Sequence, residues 1–240
     1  MCGRFSIATD VTHLETRFNA SFHINDAEDV NPVPNYNVAP TQFVPVLRGD
    51  DRSHFTMMNW GLIPSWSKSY PTGNQLINAR IETLHEKPSF RNLIHNGRCI
   101  IPMDGFYEWK KVGKDKVPYR IMTSDQTLFG VAGLCTEWVN PSDNSLIKSF
   151  TMITLPANEF MSSIHTRMPA ILTPHQEKLW LDTGLQSKDA IEILSPYPSE
   201  LLNLCRVSNK VNSVYERSKD IIDPLNQKDS DTNATQLSLF

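Results

Sequence analysis

Cysteine is sparse in this chain and poorly spaced for metal or disulfide chemistry. The four cysteines, at positions 2, 99, 135 and 205, include no Cys-x-x-Cys pair and no nearby Cys/His cluster, so neither a zinc site nor a disulfide framework is supported. Reduced thiols in a cytosolic protein fit best. Long hydrophobic runs are absent too: none approaches the ~20 apolar residues of a membrane span. Asp10 and Glu15 interrupt the place where a signal peptide would carry its apolar centre. The expectation is a cytoplasmic protein with no membrane partner. There is no phosphate-binding glycine loop and no internal repeat. Positive charge in bulk is missing as well. A formal net charge of -3 argues against a protein that coats nucleic acid by electrostatics alone.

What is present is enough for one substantial core: 240 residues, 40% of them hydrophobic. The net charge conceals a gradient. Between Trp66 and Arg120 stand ten Lys/Arg, at 68, 80, 87, 91, 98, 110, 111, 114, 116 and 120, against five Asp/Glu, at 82, 86, 104, 108 and 115. A solvated turn around Lys110 to Lys116 accounts for part of that excess, but not for Arg80, Arg91 and Arg98. This stretch is the place to expect an anionic partner.

Val11, Leu14 and Phe18 fall near helical spacing within 9–20, with Thr12 and Glu15 in a capping-box relation, which predicts a short surface helix. From Phe43 onward, short apolar runs separated by Gly, Pro, Asn or Asp read as strands beginning at Phe43, Phe55, Arg98, Tyr119, Leu128 and Phe150. Thr173-Pro174 with Gln176 opens a later helix, 188–194 reads as another, and 201–207 as a last strand. Successive strands with few helices between them predict a single α+β domain with a central antiparallel β structure flanked by short helices. That domain is expected over 1–222, followed by a polar tail over 223–240 that ends in Gln236-Leu237-Ser238-Leu239-Phe240. Apolar residues after a polar linker suit a peptide that docks in another protein's groove.

Chemistry is expected where polar residues interrupt apolar, turn-bounded segments. Cys2 directly follows Met1. If Met1 is removed, Cys2 presents an α-amine, whose pKa of ~7.7–8.0 makes it readily deprotonated near neutrality, and a thiol on adjacent carbons. Such an aminothiol traps aldehydes, closing an imine to a five-membered thiazolidine; the plainer alternative is a small residue that packs inside. Strand alternation would put Asn78, Arg80 and Glu82 on one face, either a ligand surface or a ladder of surface charges. Glu108 lies among Phe106, Tyr107 and Trp109, where an apolar setting would suit a proton donor or acceptor, although an exposed edge-strand glutamate fits the same pattern. His165 could shuttle protons and Arg167 could hold a phosphate beside it, while a lone histidine is more often structural or exposed. Of the tryptophans, Trp60 reads as core and Trp66 as a platform for a stacking base.

Six segments in order resemble the SRAP family, the SOS response-associated peptidases, which includes abasic-site sensors that crosslink to single-stranded DNA. They are Met1-Cys2-Gly3-Arg4-Phe5, Tyr36-Asn37-Val38-Ala39-Pro40, Trp60-Gly61-Leu62-Ile63-Pro64, Ile77-Asn78-Ala79-Arg80-Ile81-Glu82-Thr83, Asp104-Gly105-Phe106-Tyr107-Glu108-Trp109 and His165-Thr166-Arg167-Met168-Pro169. The resemblance implies that Cys2, after loss of Met1, reacts with the ring-opened aldehyde of an abasic deoxyribose to give a thiazolidine crosslink. It implies that Asn78 positions the new linkage, Glu108 handles protons, and His165 assists ring opening. Arg4, Arg80, Arg91 and Arg167, with Trp66 and Trp109, would clamp flanking phosphates and bases. Some relatives carry a second tryptophan where this chain has Ser67. No metal and no organic cofactor is implied, and the protein would act as a monomer. Gln236, Leu237, Leu239 and Phe240 resemble the bacterial sliding-clamp-binding peptide, which would place the protein in the bacterial cytoplasm at the nucleoid or replication fork. The competing readings are a cysteine peptidase using Cys2, His165 and Glu108, with self-removal of Met1 as its minimal activity, and a non-covalent single-strand binder.

Overall fold

Short apolar runs that alternate with turn residues bury one face by pairing with their neighbours, and the strands of the described residues do so. The computed structural model describes residues 2–22, 32–71 and 75–225. Strand β1 (Phe5–Ile7) leads into helix α1 (Val11–Phe18), then β2 (Ser21–Phe22), β3 (Asn35–Val38), β4 (Phe43–Arg48) and β5 (His54–Trp60). β6 (Asn78–Arg80) ends in a 3-10 turn over Ile81–Thr83, and two single-turn helices follow, α2 (Pro88–Arg91) and α3 (Leu93–Asn96). The long strands come next: β7 (Arg98–Met103), β8 (Gly105–Val112), β9 (Asp115–Thr123), β10 (Phe129–Val139) and β11 (Leu146–Pro156). The chain then runs through α4 (Glu159–Ser162), β12 (Arg167–Pro169), β13 (Ile171–Leu172), α5 (Pro174–Trp180), α6 (Ser187–Glu192) and β14 (Leu202–Arg206).

Among the described residues these strands make two sheets, one of five strands in the order β14-β9-β8-β1-β3 and one of nine. In the larger sheet β12-β11-β10-β7-β4-β5-β2 are hydrogen-bonded in turn, with β13 on β10 and β6 on β11. Most pairings are antiparallel, and β2, β5 and β6 supply the parallel ones. The fold is the single α+β domain that the strand pattern predicts.

Three tryptophans fill the interior, and each buried indole N–H has a carbonyl: Trp60 on Ile77 at 2.9 Å, Trp138 on Ser67 at 2.7 Å and Trp180 on Cys99 at 2.9 Å. Trp60 also meets Phe5 edge-on at 5.0 Å, which ties the N-terminal strand to the larger sheet. No described helix is long and apolar enough to cross a membrane, and the described residues hold no cluster of three metal-ligating side chains.

Three local expectations need correction. Helix α1 is capped by Asp10, whose carboxylate accepts the His13 N–H at 2.8 Å, while Glu15 turns away to accept Phe22 N–H at 2.9 Å. Asp10 offers the acceptor before Thr12 can, so no Thr12/Glu15 box forms. Strand β6 stops at Arg80; the 3-10 turn then takes Glu82 out of the alternation expected for Asn78, Arg80 and Glu82. Arg98 is not part of an anionic-ligand surface. It is buried, and it donates to the carbonyls of Ile94 and Trp180, both at 2.7 Å, and of Asp182, closing the ends of α3 and α5. The box at Thr173 does form: Thr173 Oγ1 accepts Gln176 N–H at 3.3 Å and Gln176 Oε1 accepts Thr173 N–H at 3.0 Å. Near the last described residues, Leu225 N–H donates to Arg206 O at 2.9 Å.

Candidate active site at the N-terminal strand

β1 lies between β3 and β8, with Phe5 opposite both Val38 and Phe106. Tyr107 N–H donates to Arg4 O at 2.9 Å, so the residues before Phe5 continue along β8 toward Glu108. Cys2 is 1% exposed, and its Sγ donates to Arg4 O at 3.6 Å. Burial pushes the thiol well above its usual range, and the negative charge of Glu108 adds to that shift. Asn78, the first residue of β6, reaches across from the other sheet and donates Nδ2 to Cys2 O at 2.8 Å. Its Oδ1 is buried and accepts no hydrogen bond among the described residues.

Glu108 sits in β8, between β9 and β1, and is 4% exposed. It is therefore not an edge-strand surface glutamate. Together with Trp109, Lys116, His165 and Asn212 it lines a cavity of about 660 Å³. His165 follows α4, and its Nδ1 accepts the Arg167 backbone N–H at 3.0 Å. An amide can only donate, so Nδ1 must carry the lone pair, and the neutral ring keeps its proton on Nε2. Residues from four separated segments thus meet at one place: Cys2 with Asn78, and Glu108 with His165.

The residues expected to bind DNA divide into two groups. Trp66 is 56% exposed, and Arg80 and Arg91 are exposed, all available to a ligand. Trp109 is half-buried at the cavity, its Nε1 donating to Asn212 Oδ1 at 2.7 Å. Arg4 and Arg167 differ. Arg4 is buried, with Nη1 donating to Asn37 Oδ1 and Val211 O, both at 2.7 Å, and its guanidinium lies 6.0 Å from the Trp109 ring. The Arg167 side chain is 13% exposed and forks onto Glu82, with Nη2 also on Thr154 O at 2.5 Å. Both guanidinium groups have internal work. The tail residues Gln236, Leu237, Leu239 and Phe240 lie outside the described residues.

Asn212 lines the cavity without a signal in the sequence that would have marked it, whereas Lys116, also in the lining, is one of the basic residues counted between Trp66 and Arg120. Asn212 belongs to a 3-10 turn over Asn209–Asn212, and only tertiary contacts bring it in. Asn37, fully buried inside an apolar segment, does that work: Nδ2 donates to Ser213 O at 2.9 Å and Glu216 O at 2.8 Å. Arg4 and Asn37 together strap the C-terminal segment onto the N-terminal strand. Lys116 comes from the lysine-rich β8–β9 turn, where it is paired with Lys111.

The chain is 40% identical over 226 residues to the abasic site processing protein YoqW of Bacillus subtilis, covering 93% of this chain and 99% of that protein. It is 29% identical over 228 residues to the abasic site processing protein YedK of Escherichia coli, covering 94% and 100%. A crystal structure of a Bacteroides thetaiotaomicron protein superposes with a TM-score of 0.83 at 26% identity, covering 94% of this chain and 100% of the other. The family model described as SOS response associated peptidase matches residues 1–214, and the chain belongs to that family, SRAP.

Proposed function

We propose that this protein captures abasic sites in single-stranded DNA as a covalent thiazolidine on Cys2 once Met1 has been removed. The observation that carries the reading is the 2.8 Å hydrogen bond from Asn78 to the Cys2 carbonyl, which fixes the residue beside buried Glu108 and the cavity that Glu108 shares with His165. Support also comes from relatives named as abasic site processing proteins.

The chemistry balances without a redox partner. The free α-amine of Cys2 attacks the aldehyde carbon of the ring-opened sugar, a C–N bond forms, and the carbonyl oxygen leaves as water. Sγ then adds to the imine carbon, a C–S bond forms, and the thiol proton ends on nitrogen. Glu108 would take a proton from the nitrogen once the C–N bond has formed and return one to the departing oxygen. The Nε2–H of His165 supplies a donor for the sugar oxygen during ring opening. Asn78 Oδ1 offers an acceptor for a donor that arrives with the reaction, such as the amine or a sugar hydroxyl. Trp66, Trp109, Arg80 and Arg91 would hold the flanking bases and phosphates.

A cysteine peptidase needs a thiolate near neutrality. The burial of Cys2 and the charge of Glu108 push its thiol the other way, which favours amine-first capture. Intact mass spectrometry of the purified protein, with and without single-stranded DNA carrying an abasic site, tests the reading. The expected result is loss of Met1 and a heat-stable adduct that disappears in Cys2→Ala. An equal adduct from Cys2→Ala, or from protein with a blocked N-terminal amine, would overturn it.

A further inference from the structure

We infer that Glu82 is a positioning residue for this site: through Arg167 it clasps the segment bearing His165 to the strand bearing Asn78. The inference rests on the proposed reaction for its consequence, but its geometry stands alone. β11 is paired on one side with β6, where Thr154 lies opposite Arg80, and also with β12, where Thr154 lies opposite Pro169. Asn78 opens β6 and His165 stands two residues before β12, so these two side chains reach the site from segments whose strands each pair with β11 at Thr154.

The Glu82–Arg167 pair links those segments. The two terminal guanidinium nitrogens of Arg167 meet the two carboxylate oxygens of Glu82, with Nη2 to Oε2 at 3.1 Å. The same Nη2 donates to Thr154 O at 2.5 Å and lies 3.2 Å from Thr154 Oγ1. The fork therefore spans β11 at the residue where both neighbouring strands register. A bidentate guanidinium–carboxylate pair fixes orientation as well as separation. What it orients is the Arg167 backbone, whose N–H sits 3.0 Å from His165 Nδ1 and selects the Nε2–H form of the ring. The 3-10 turn that removes Glu82 from the face of Asn78 and Arg80 is what brings its carboxylate to Arg167.

Two readouts test the clasp. In the free protein with 15N-labelled histidine, the ring nitrogens of His165 report which one carries the proton; wild type should show the Nε2–H form. Glu82→Gln keeps the side-chain shape but loses the ionic fork. It should broaden or mix that pattern and slow adduct formation by about 10- to 100-fold, the scale of a small misplacement of a reacting group. Glu82→Asp should recover part of both, and Arg167→Lys, which keeps the charge without the fork, should behave like Glu82→Gln. Unchanged ring-nitrogen signals together with an unchanged rate in Glu82→Gln would overturn the inference. If wild type forms no adduct, the proposed reaction falls, and the ring-nitrogen signals still decide the clasp.

Discussion

Replacing Arg4 separates a phosphate contact from a structural strap, two roles that leave different thermodynamic traces. In Arg4→Ala two acceptors lose their donor, Asn37 Oδ1 and Val211 O, each now held at 2.7 Å. Hydrogen bonds to a charged donor contribute roughly 1.5–3 kcal/mol each. Burial already disfavours this guanidinium, lowering its pKa, so part of the gross gain is offset. A net loss of about 3–5 kcal/mol is expected. For a chain of this size that corresponds to a fall in Tm of roughly 6–20 °C. A phosphate contact would instead appear in the salt dependence of binding, where each phosphate neutralised on a single strand contributes about -0.7 to the slope of log K against log salt. Thermal melts, with titrations of intact single-stranded DNA at several salt concentrations below the lower Tm, measure both. The slope should stay the same while stability drops, and Arg4→Lys, which keeps the charge but not the fork, should also lose stability. A slope smaller by about 0.7 with a stability change under about 1 kcal/mol would refute the strap.

Four further outcomes are expected. Asn78→Ala should slow adduct formation about 100-fold by releasing the Cys2 carbonyl, with a stability loss of no more than about 2 kcal/mol; a rate equal to wild type would remove Asn78 from the site. Trp66→Ala should weaken binding to intact single-stranded DNA by about 1–3 kcal/mol without changing Tm, because the ring is 56% exposed and carries little of the core; unaltered affinity excludes it as a stacking platform. Arg167 holds the Glu82 carboxyl below its usual range, so the stabilisation from that pair is fully present above the unfolded carboxylate pKa of ~4.3 and is lost as pH falls through the lower folded value. Acid unfolding of Glu82→Gln should therefore show a shallower dependence on pH below that point, and identical curves would contradict the ion pair. If 236–240 docks on a bacterial sliding clamp, as the resemblance of that peptide implies, deleting it should abolish clamp binding and leave adduct formation in solution intact; clamp affinity that survives the deletion would exclude that docking.

Much of the fold is local in origin, and those parts are visible in the chain itself. The strand runs at Phe43, Arg98 and Phe150, the Thr173-Pro174 cap and the core placement of Trp60 follow from alternation, turn residues and capping chemistry, all of which act over a few residues. Cys2, Asn78, Glu108 and His165 stood out because each is a polar or reactive group set in an apolar or turn-bounded segment. The start of α1 is ambiguous in the chain because two nearby residues, Asp10 and Thr12, can both cap, and only the folded chain shows that Glu15 is needed by Phe22.

The sequence by itself determined which groups could do chemistry and that the chain would be a strand-rich α+β domain, since residue type and short-range periodicity are written in it. Tertiary structure alone decided what the arginines do. Arg4, Arg80, Arg91, Arg98 and Arg167 all read as cations seeking an anion, yet folding buries Arg4 and Arg98 on carbonyls and commits Arg167 to Glu82, while Arg80 and Arg91 stay exposed. A guanidinium is satisfied by any acceptor that reaches it in the right plane, and for Arg4 that acceptor, Val211 O, lies 207 residues along the chain. No local pattern can encode a partner at that separation, and the same physics brings Asn212 into the cavity and clasps His165 toward Asn78.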